Sequence, residues 1–372
     1  MSTIIHVQPA MPSYRLDFFD RSDLLLSKRL LVYATRSNMG ILTQQKVRRP
    51  WLRDVGKIVK ILPGLYWQRG VASIPFSQRD IIVISGNPRV LSNILLLARA
   101  RLRGARTIWW GHYWSSTSKK WRQALRRIMM RASDAILFYT DSEAVEYCAL
   151  GTRNQLQLVS ALNNGIDVSA IRPVREPYRA ESRDLAALFV GRITEKAELS
   201  LALDALAQPE MRGITLHIVG WGHLAPELIE KTRSMGLDKQ VHWHGAMNQE
   251  AEIAKIANRC RLFLYPGEVG LSLIHGMAYG LPAVVHSDRR KQMPEIAAFI
   301  DDETGRSFCR GEPASLAAVV SDAVRDTEQL NRWSERCIHQ ADENFNTQAM
   351  AHRFVTLIQR LESMHLSPAD LN

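Results

Sequence analysis

The sequence predicts an α/β fold made of two doubly wound, Rossmann-like domains facing a central cleft. Three observations carry this reading. Short apolar, β-branched runs recur through the first half and again through the second, each ended by a glycine or proline turn and followed by a helical stretch. Strands alternating with helices in this way build a parallel sheet covered on both faces. At 372 residues the chain is too long for one ordinary domain and suits two. Between the two series, 171–184 contains Pro173 and Pro177, lacks periodicity and reads as a link. The domains are placed at 1–172 and 173–345, with 346–372 a carboxyl-terminal helix expected to pack back on the first.

In the first half, Ile4–Val7 is a strand, Gln8 to Arg15 a turn-rich loop, and a helix starts at Leu16. Leu30–Ala34 and Ile81–Ser85 are buried strands. Ser85-Gly-Asn-Pro88 breaks the latter before a helical stretch at Val90–Arg103. Thr107–Trp110 is the next strand and ends at Gly111-His112. Trp121, Leu125, Ile128 and Met129 then recur at helical spacing, suited to packing on a sheet. Ala135–Tyr139 is again strand-like, and Thr140-Asp-Ser-Glu143 caps a new helix. In the second half the strands are Ala187–Val190, Thr215–Val219, Val241–His244, Leu262–Tyr265 and Ala283–His286.

Hydrophobic residues make up 46% and charged residues 23%, the balance of a folded chain. The longest strongly apolar stretch, around Ile94–Leu97, falls far short of the roughly 20 residues a membrane span needs. The amino-terminal run has no secretion signal, so a cytoplasmic location is expected, with membrane contact at most peripheral. Four widely spaced cysteines argue against a disulfide framework and against a zinc site. The net charge is +11, and Ile81 to Ser133 holds eleven basic residues with no Asp or Glu. That field suits anionic partners: acidic lipid headgroups, polyprenyl diphosphates, nucleotide phosphates or nucleic acid. No nucleic-acid-reading module accompanies it.

The candidate site residues cluster at strand ends. Phe189-Val-Gly-Arg-Ile-Thr-Glu-Lys196 places Arg192 and Lys196 at a sheet mouth, where two cations would hold a diphosphate; solvated loop cations are the alternative. Gly220 and Gly222 follow a strand and would let backbone approach a ligand, and Gly245 ends another, suiting contacts to a base or ribose. His242 and His244 lack a third ligand for a metal, and none is expected. In Tyr265-Pro-Gly-Glu-Val-Gly-Leu-Ser272 the N–H groups of Val269, Gly270, Leu271 and Ser272 would face a phosphate at a helix start, and Glu268 would accept from sugar hydroxyls. On the acceptor side, His112 would bond a hydroxyl or relieve developing charge, with a histidine satisfied within the fold as the alternative. Tyr113 and Trp114 would stack on an acceptor, with packing in the core beside the strand as the alternative, and Arg15 would contact a diphosphate.

From Phe189 to about Phe308 the chain resembles the bacterial group 1, or family 4, glycosyltransferases of the GT-B fold. The likeness rests on Val-Gly-Arg with a downstream Lys, Ile218-Val-Gly-x-Gly, Gly276-Met-Ala-Tyr-Gly-Leu-Pro282, Met293-Pro-Glu and Thr304-Gly-Arg. The resemblance implies transfer of a sugar from a nucleoside diphosphate sugar, with retention and no metal or other cofactor. It also implies work in surface polysaccharide assembly on a polyprenyl diphosphate-linked acceptor, with the basic region at an anionic membrane surface. One departure matters. The family's Glu-x7-Glu pair would fall at Gly267 and His275, so Glu268, shifted by one, and His275 are expected to replace it. A non-catalytic sugar-nucleotide-binding protein and a nucleotide-sugar epimerase are the competing readings.

Overall fold

The computed structural model describes residues 2–35, 48–113, 120–151 and 157–364. The chain forms two compact units, Met1–Asn163 with Thr347–Asn372, and Asn164–Asn346.

The first unit runs β1 (Ile4–Ala10), α1 (Leu16–Leu25), β2 (Leu30–Thr35), β3 (Leu52–Asp54) and an antiparallel hairpin of β4 (Ile58–Leu62) and β5 (Leu65–Gln68). It continues through β6 (Ile81–Ser85), α2 (Leu91–Leu102), β7 (Arg106–Trp110), α3 (Lys120–Arg131), β8 (Ala135–Phe138), α4 (Asp141–Ala149) and β9 (Leu158–Ala161). Its parallel sheet has the order β3-β2-β1-β6-β7-β8-β9, so the winding reverses between β1 and β6. Successive strand residues enter opposite cores: Ile4 and Trp110 on one face, Ile5 and Trp109 on the other.

The second unit contains β10 (Ala186–Val190), α5 (Leu199–Leu206), β11 (Thr215–Val219), α6 (Ala225–Ser234), β12 (Val241–Gly245), α7 (Glu250–Ala257) and β13 (Leu262–Tyr265). Then come α8 (Leu271–Ala278), β14 (Ala283–His286), β15 (Gly305–Phe308), α9 (Pro313–Ala323) and α10 (Thr327–His339). The parallel order β12-β11-β10-β13-β14-β15 reverses between β10 and β13. The chain then returns to the first unit as α11 (Thr347–Ser363). There Phe354 meets Phe18 of α1 edge to face at 5.8 Å, and Arg29 pairs with Glu362 at 2.6 Å.

Three expectations change. The stretch 171–184 is not a free link but part of the second unit. Ile171 and Ala180 are buried, Tyr178 Oη donates to the Arg261 carbonyl at 2.7 Å, and the Arg183 guanidinium lies 4.2 Å from the Tyr178 ring centre. Its prolines and charges mark irregular backbone that is nevertheless anchored. On α3 the buried positions are Arg126, Met129 and Met130, with Leu125 packed beside them, while Ile128 is 63% exposed. The inward stripe runs through 125, 129 and 130, which turns Ile128 toward solvent; the side chain of Trp121 lies outside the described residues. The short strands β3, β4, β5, β9 and β15 carry too little alternation to stand out in the sequence. The cap at Thr140 forms as expected, its hydroxyl accepting from Glu143 N at 3.3 Å.

Removing the Phe354 ring from its fully buried site is expected to destabilise the first unit by about 3–5 kcal/mol. Urea denaturation of Phe354→Ala reads this; an unshifted transition would show that α11 adds nothing to that core.

Candidate functional site

In the second unit, the loops after β10 and β13 flank the point where the strand order reverses, the place where open parallel sheets bind ligands. These loops are held together by backbone lying on backbone. A Cβ on Gly220 would collide with the Gly191 carbonyl, one on Gly222 with the Ile193 carbonyl, and one on Gly267 with the Lys196 carbonyl. The glycines at 220 and 222 are thus required by the chain's own loop. Gly245, in the left-handed region at φ 71°, ends β12, and its carbonyl accepts from Gly220 N at 2.7 Å.

This packing places the charged candidates. Glu268 N donates to the Lys196 carbonyl at 2.8 Å, and Lys196 Nζ pairs with Glu268 Oε2 at 2.7 Å. Two residues expected to act separately, one on phosphate and one on sugar, are therefore bound to each other. Arg192 is exposed, and among the described residues it makes no hydrogen bond or ion pair. Burial pushes the neighbouring Tyr265 hydroxyl up to about 12, against the opposing effect of the Arg192 charge. Ser272 Oγ stands 3.5 Å from where a Cβ on Gly191 would lie, so α8 starts beside the β10 loop.

One expected donor is already used. Val269 is fully buried and its N–H donates to Gln292 Oε1 at 2.8 Å, while its carbonyl accepts from Met293 N at 3.2 Å. Among the described residues the N–H groups of Gly270, Leu271 and Ser272 have no acceptor, as the first turn of a helix leaves them.

His275 faces α7. Its Nε2 donates to Glu250 Oε2 at 3.0 Å, and Tyr279 Oη donates to the same oxygen at 2.8 Å. Burial would raise the Glu250 carboxyl, but these hydrogen bonds and the His275 charge outweigh it and hold it below the usual range. Glu250 escaped the sequence reading, because an acid in a first turn ordinarily signals only the helix dipole. A histidine triplet lies nearby on β11 and β12. His217 Nδ1 shares a hydrogen bond with His244 Nε2 at 3.0 Å and stacks on His242 at 4.8 Å. No group among the described residues could hold a metal ion.

In the first unit, His112 follows β7. Its Nδ1 donates to Glu143 Oε1 at 3.3 Å, and its ring lies 4.3 Å from that of Tyr139. The buried Glu143 carboxylate also accepts from Tyr113 N at 3.1 Å and Tyr139 N at 3.2 Å. The capping pattern at Thr140 was the signal for Glu143, although it pointed to a helix start and not to a histidine. Tyr113 packs edge-on against Phe138 and Tyr147 in the core. Arg15 is only 7% exposed, with its guanidinium 4.8 Å from the Trp110 ring centre and 5.6 Å from that of Tyr139. Trp114 lies outside the described residues.

Two parallel, doubly wound units, each with loops gathered at strand carboxyl ends, define a GT-B protein. Residues 171–340 match the family model for group 1 glycosyl transferases, and the chain carries a domain of that family. It is 24% identical over 245 residues to WcaL of Escherichia coli, named for colanic acid biosynthesis glycosyltransfer; the match covers 63% of this chain and 58% of the relative. In fold it is similar to HepE of Anabaena solved with UDP, at TM-score 0.68 and 15% identity over 97% of this chain and 100% of that one. It is similar also to a glycosyltransferase from Rickettsia africae, at TM-score 0.71 and 13% identity over 98% and 99%.

The His217 imidazole is pushed down to about 4, first by burial and then by the His242 and His244 charges. A folded value below the unfolded value of about 6.5 means that this stability is complete above pH 6.5 and is lost as pH falls toward 4. The melting temperature should drop across that window, and less in His217→Gln. Equal slopes in the two proteins would contradict the assignment.

Proposed function

We propose that the protein transfers a sugar from a nucleoside diphosphate sugar to a glycan or lipid-linked acceptor, with retention and without a metal, in surface polysaccharide biosynthesis. The observation that carries this is the glycine-packed loop cluster at the second unit's switch point, which brings Arg192, the Lys196–Glu268 pair and the α8 amino terminus together. Developing negative charge on a leaving diphosphate would meet two cations and unused N–H groups. With Lys196 on Oε2, Glu268 keeps Oε1 to accept from a sugar hydroxyl. Two likenesses support the reading: WcaL is named for colanic acid biosynthesis, and HepE binds UDP.

His112, its tautomer set by Glu143, is the proposed catalytic imidazole of the first unit. The acceptor is proposed to be polyprenyl diphosphate-linked, reached from the cytoplasmic membrane face, with the basic 81–133 region against anionic lipid. No described helix is long and apolar enough to cross a membrane.

A second reading, sugar-nucleotide binding without transfer, is favoured by one observation: His275, expected to replace a motif glutamate, spends its Nε2 on Glu250. Incubation with radiolabelled UDP-, GDP- and dTDP-sugars, with and without lipid-linked acceptor, separates the two. Transfer supports the first reading, binding without turnover supports the second, and epimer formation in the absence of acceptor overturns both. In an active protein, Glu268→Ala should lower kcat by at least about 100-fold. His275→Ala should mainly raise KM, through Glu250. Full activity in both variants would show that the donor site lies elsewhere.

A further inference from the structure

The first unit contains a cavity of about 240 Å³ at the carboxyl ends of β6 and β7, lined by Arg89, Arg122, Arg126, His112, Trp110 and Tyr139 among others. We propose that it binds a phosphoryl group of the acceptor. Three arginines and a histidine line one space, and among the described residues no Asp or Glu lines it. The Glu143 carboxylate accepts from His112 and from the Tyr113 and Tyr139 N–H groups.

The cations are built in rather than scattered on the surface. Arg126 is 8% exposed on α3, and Arg89 and Arg122 are half-buried. Asn87 Oδ1 accepts from both Arg89 N and Arg89 Nε, at 3.1 and 3.4 Å, which fixes the guanidinium over the β6 loop. Burial destabilises the charged Arg126 guanidinium; the Glu143 charge opposes this, and the Arg89 charge adds to it to a lesser extent. Arg15 adds a further cation close to the Trp110 and Tyr139 rings that line the cavity. A Cβ on Gly86 would come within 2.8 Å of Gly111 Cα and 2.7 Å of the Trp110 carbonyl, so the two strand-end loops meet directly.

Guanidinium groups bind phosphoryl oxygens through paired N–H donors, and a site partly shielded from water strengthens each such bond. His112 lines the same cavity, so a bound phosphoryl group would anchor the acceptor beside this residue. The assignment to an acceptor rests on the proposed sugar transfer; the phosphoryl site itself does not.

The test is calorimetry on the full chain with pyrophosphate, geranyl diphosphate and glucuronate, each with and without saturating UDP. Pyrophosphate and geranyl diphosphate are expected to bind in the presence of UDP, and at least tenfold more weakly to Arg89→Gln or Arg122→Gln. UDP affinity should stay within twofold, and Arg89→Lys should recover part of the loss. Matching melting temperatures in the two exposed-side variants exclude unfolding, which buried Arg126 would risk. Equal pyrophosphate affinity in wild type and variants overturns the proposal, as does a preference for glucuronate. Tighter binding of geranyl diphosphate than pyrophosphate identifies a lipid-linked source, and the reverse a free phosphate. If none of UDP, GDP and dTDP binds while the arginine dependence persists, the transfer reading falls and the phosphoryl site stands.

Discussion

The close approach of backbone to backbone at the second unit's switch point is the constraint on which the candidate site depends. Gly220, Gly222 and Gly267 each lie where any side chain would strike a carbonyl of the 191–196 loop. That contact sets the height and angle of the loop, and through it the positions of Arg192 and of the Lys196 carbonyl that receives Glu268 N. A methyl group at any of the three would have to push the loop away from its neighbours, and Arg192, Lys196 and Glu268 would be displaced with it. The chemistry depends on packing that contains no chemistry of its own.

The first unit uses the same device, with Gly86 against Gly111, but surrounds it differently. Its strand-end loops carry arginines and a histidine steered by a buried carboxylate, whereas those of the second unit carry a lysine–glutamate pair and a helix start. Parallel sheets leave their strand carboxyl ends open to loops, and one architecture therefore accommodates two electrostatic environments. Whatever binds at each place is selected by the side chains the loops present, not by the sheet.

Much of the framework was legible in the sequence because parallel strands buried on both faces read as continuous apolar runs; Ile81–Ser85, Thr215–Val219, Leu262–Tyr265 and Ala283–His286 match to the residue. Edge and hairpin strands such as β3 and β4 were not legible, being short and half exposed. In the site, the right loops stood out by their glycines, but the partners did not. Gln292 lies far along the chain from the Val269 N–H it occupies, Glu250 reaches His275 from another helix, and Glu143 looked like a cap. Side-chain pairing across loops has no period, so no spacing rule reveals it. The glycines illustrate the same limit, since a residue that makes room for a ligand and one that makes room for a neighbouring loop look identical in sequence.

The most direct measurement of the central claim is hydrogen–deuterium exchange of the full chain with and without saturating UDP, repeated with GDP and dTDP. At least one nucleotide is expected to slow exchange in 191–197 and 266–273 together, because both segments belong to one packed loop cluster. Protection confined to other strand ends of the second unit, or to only one of the two segments, would contradict it.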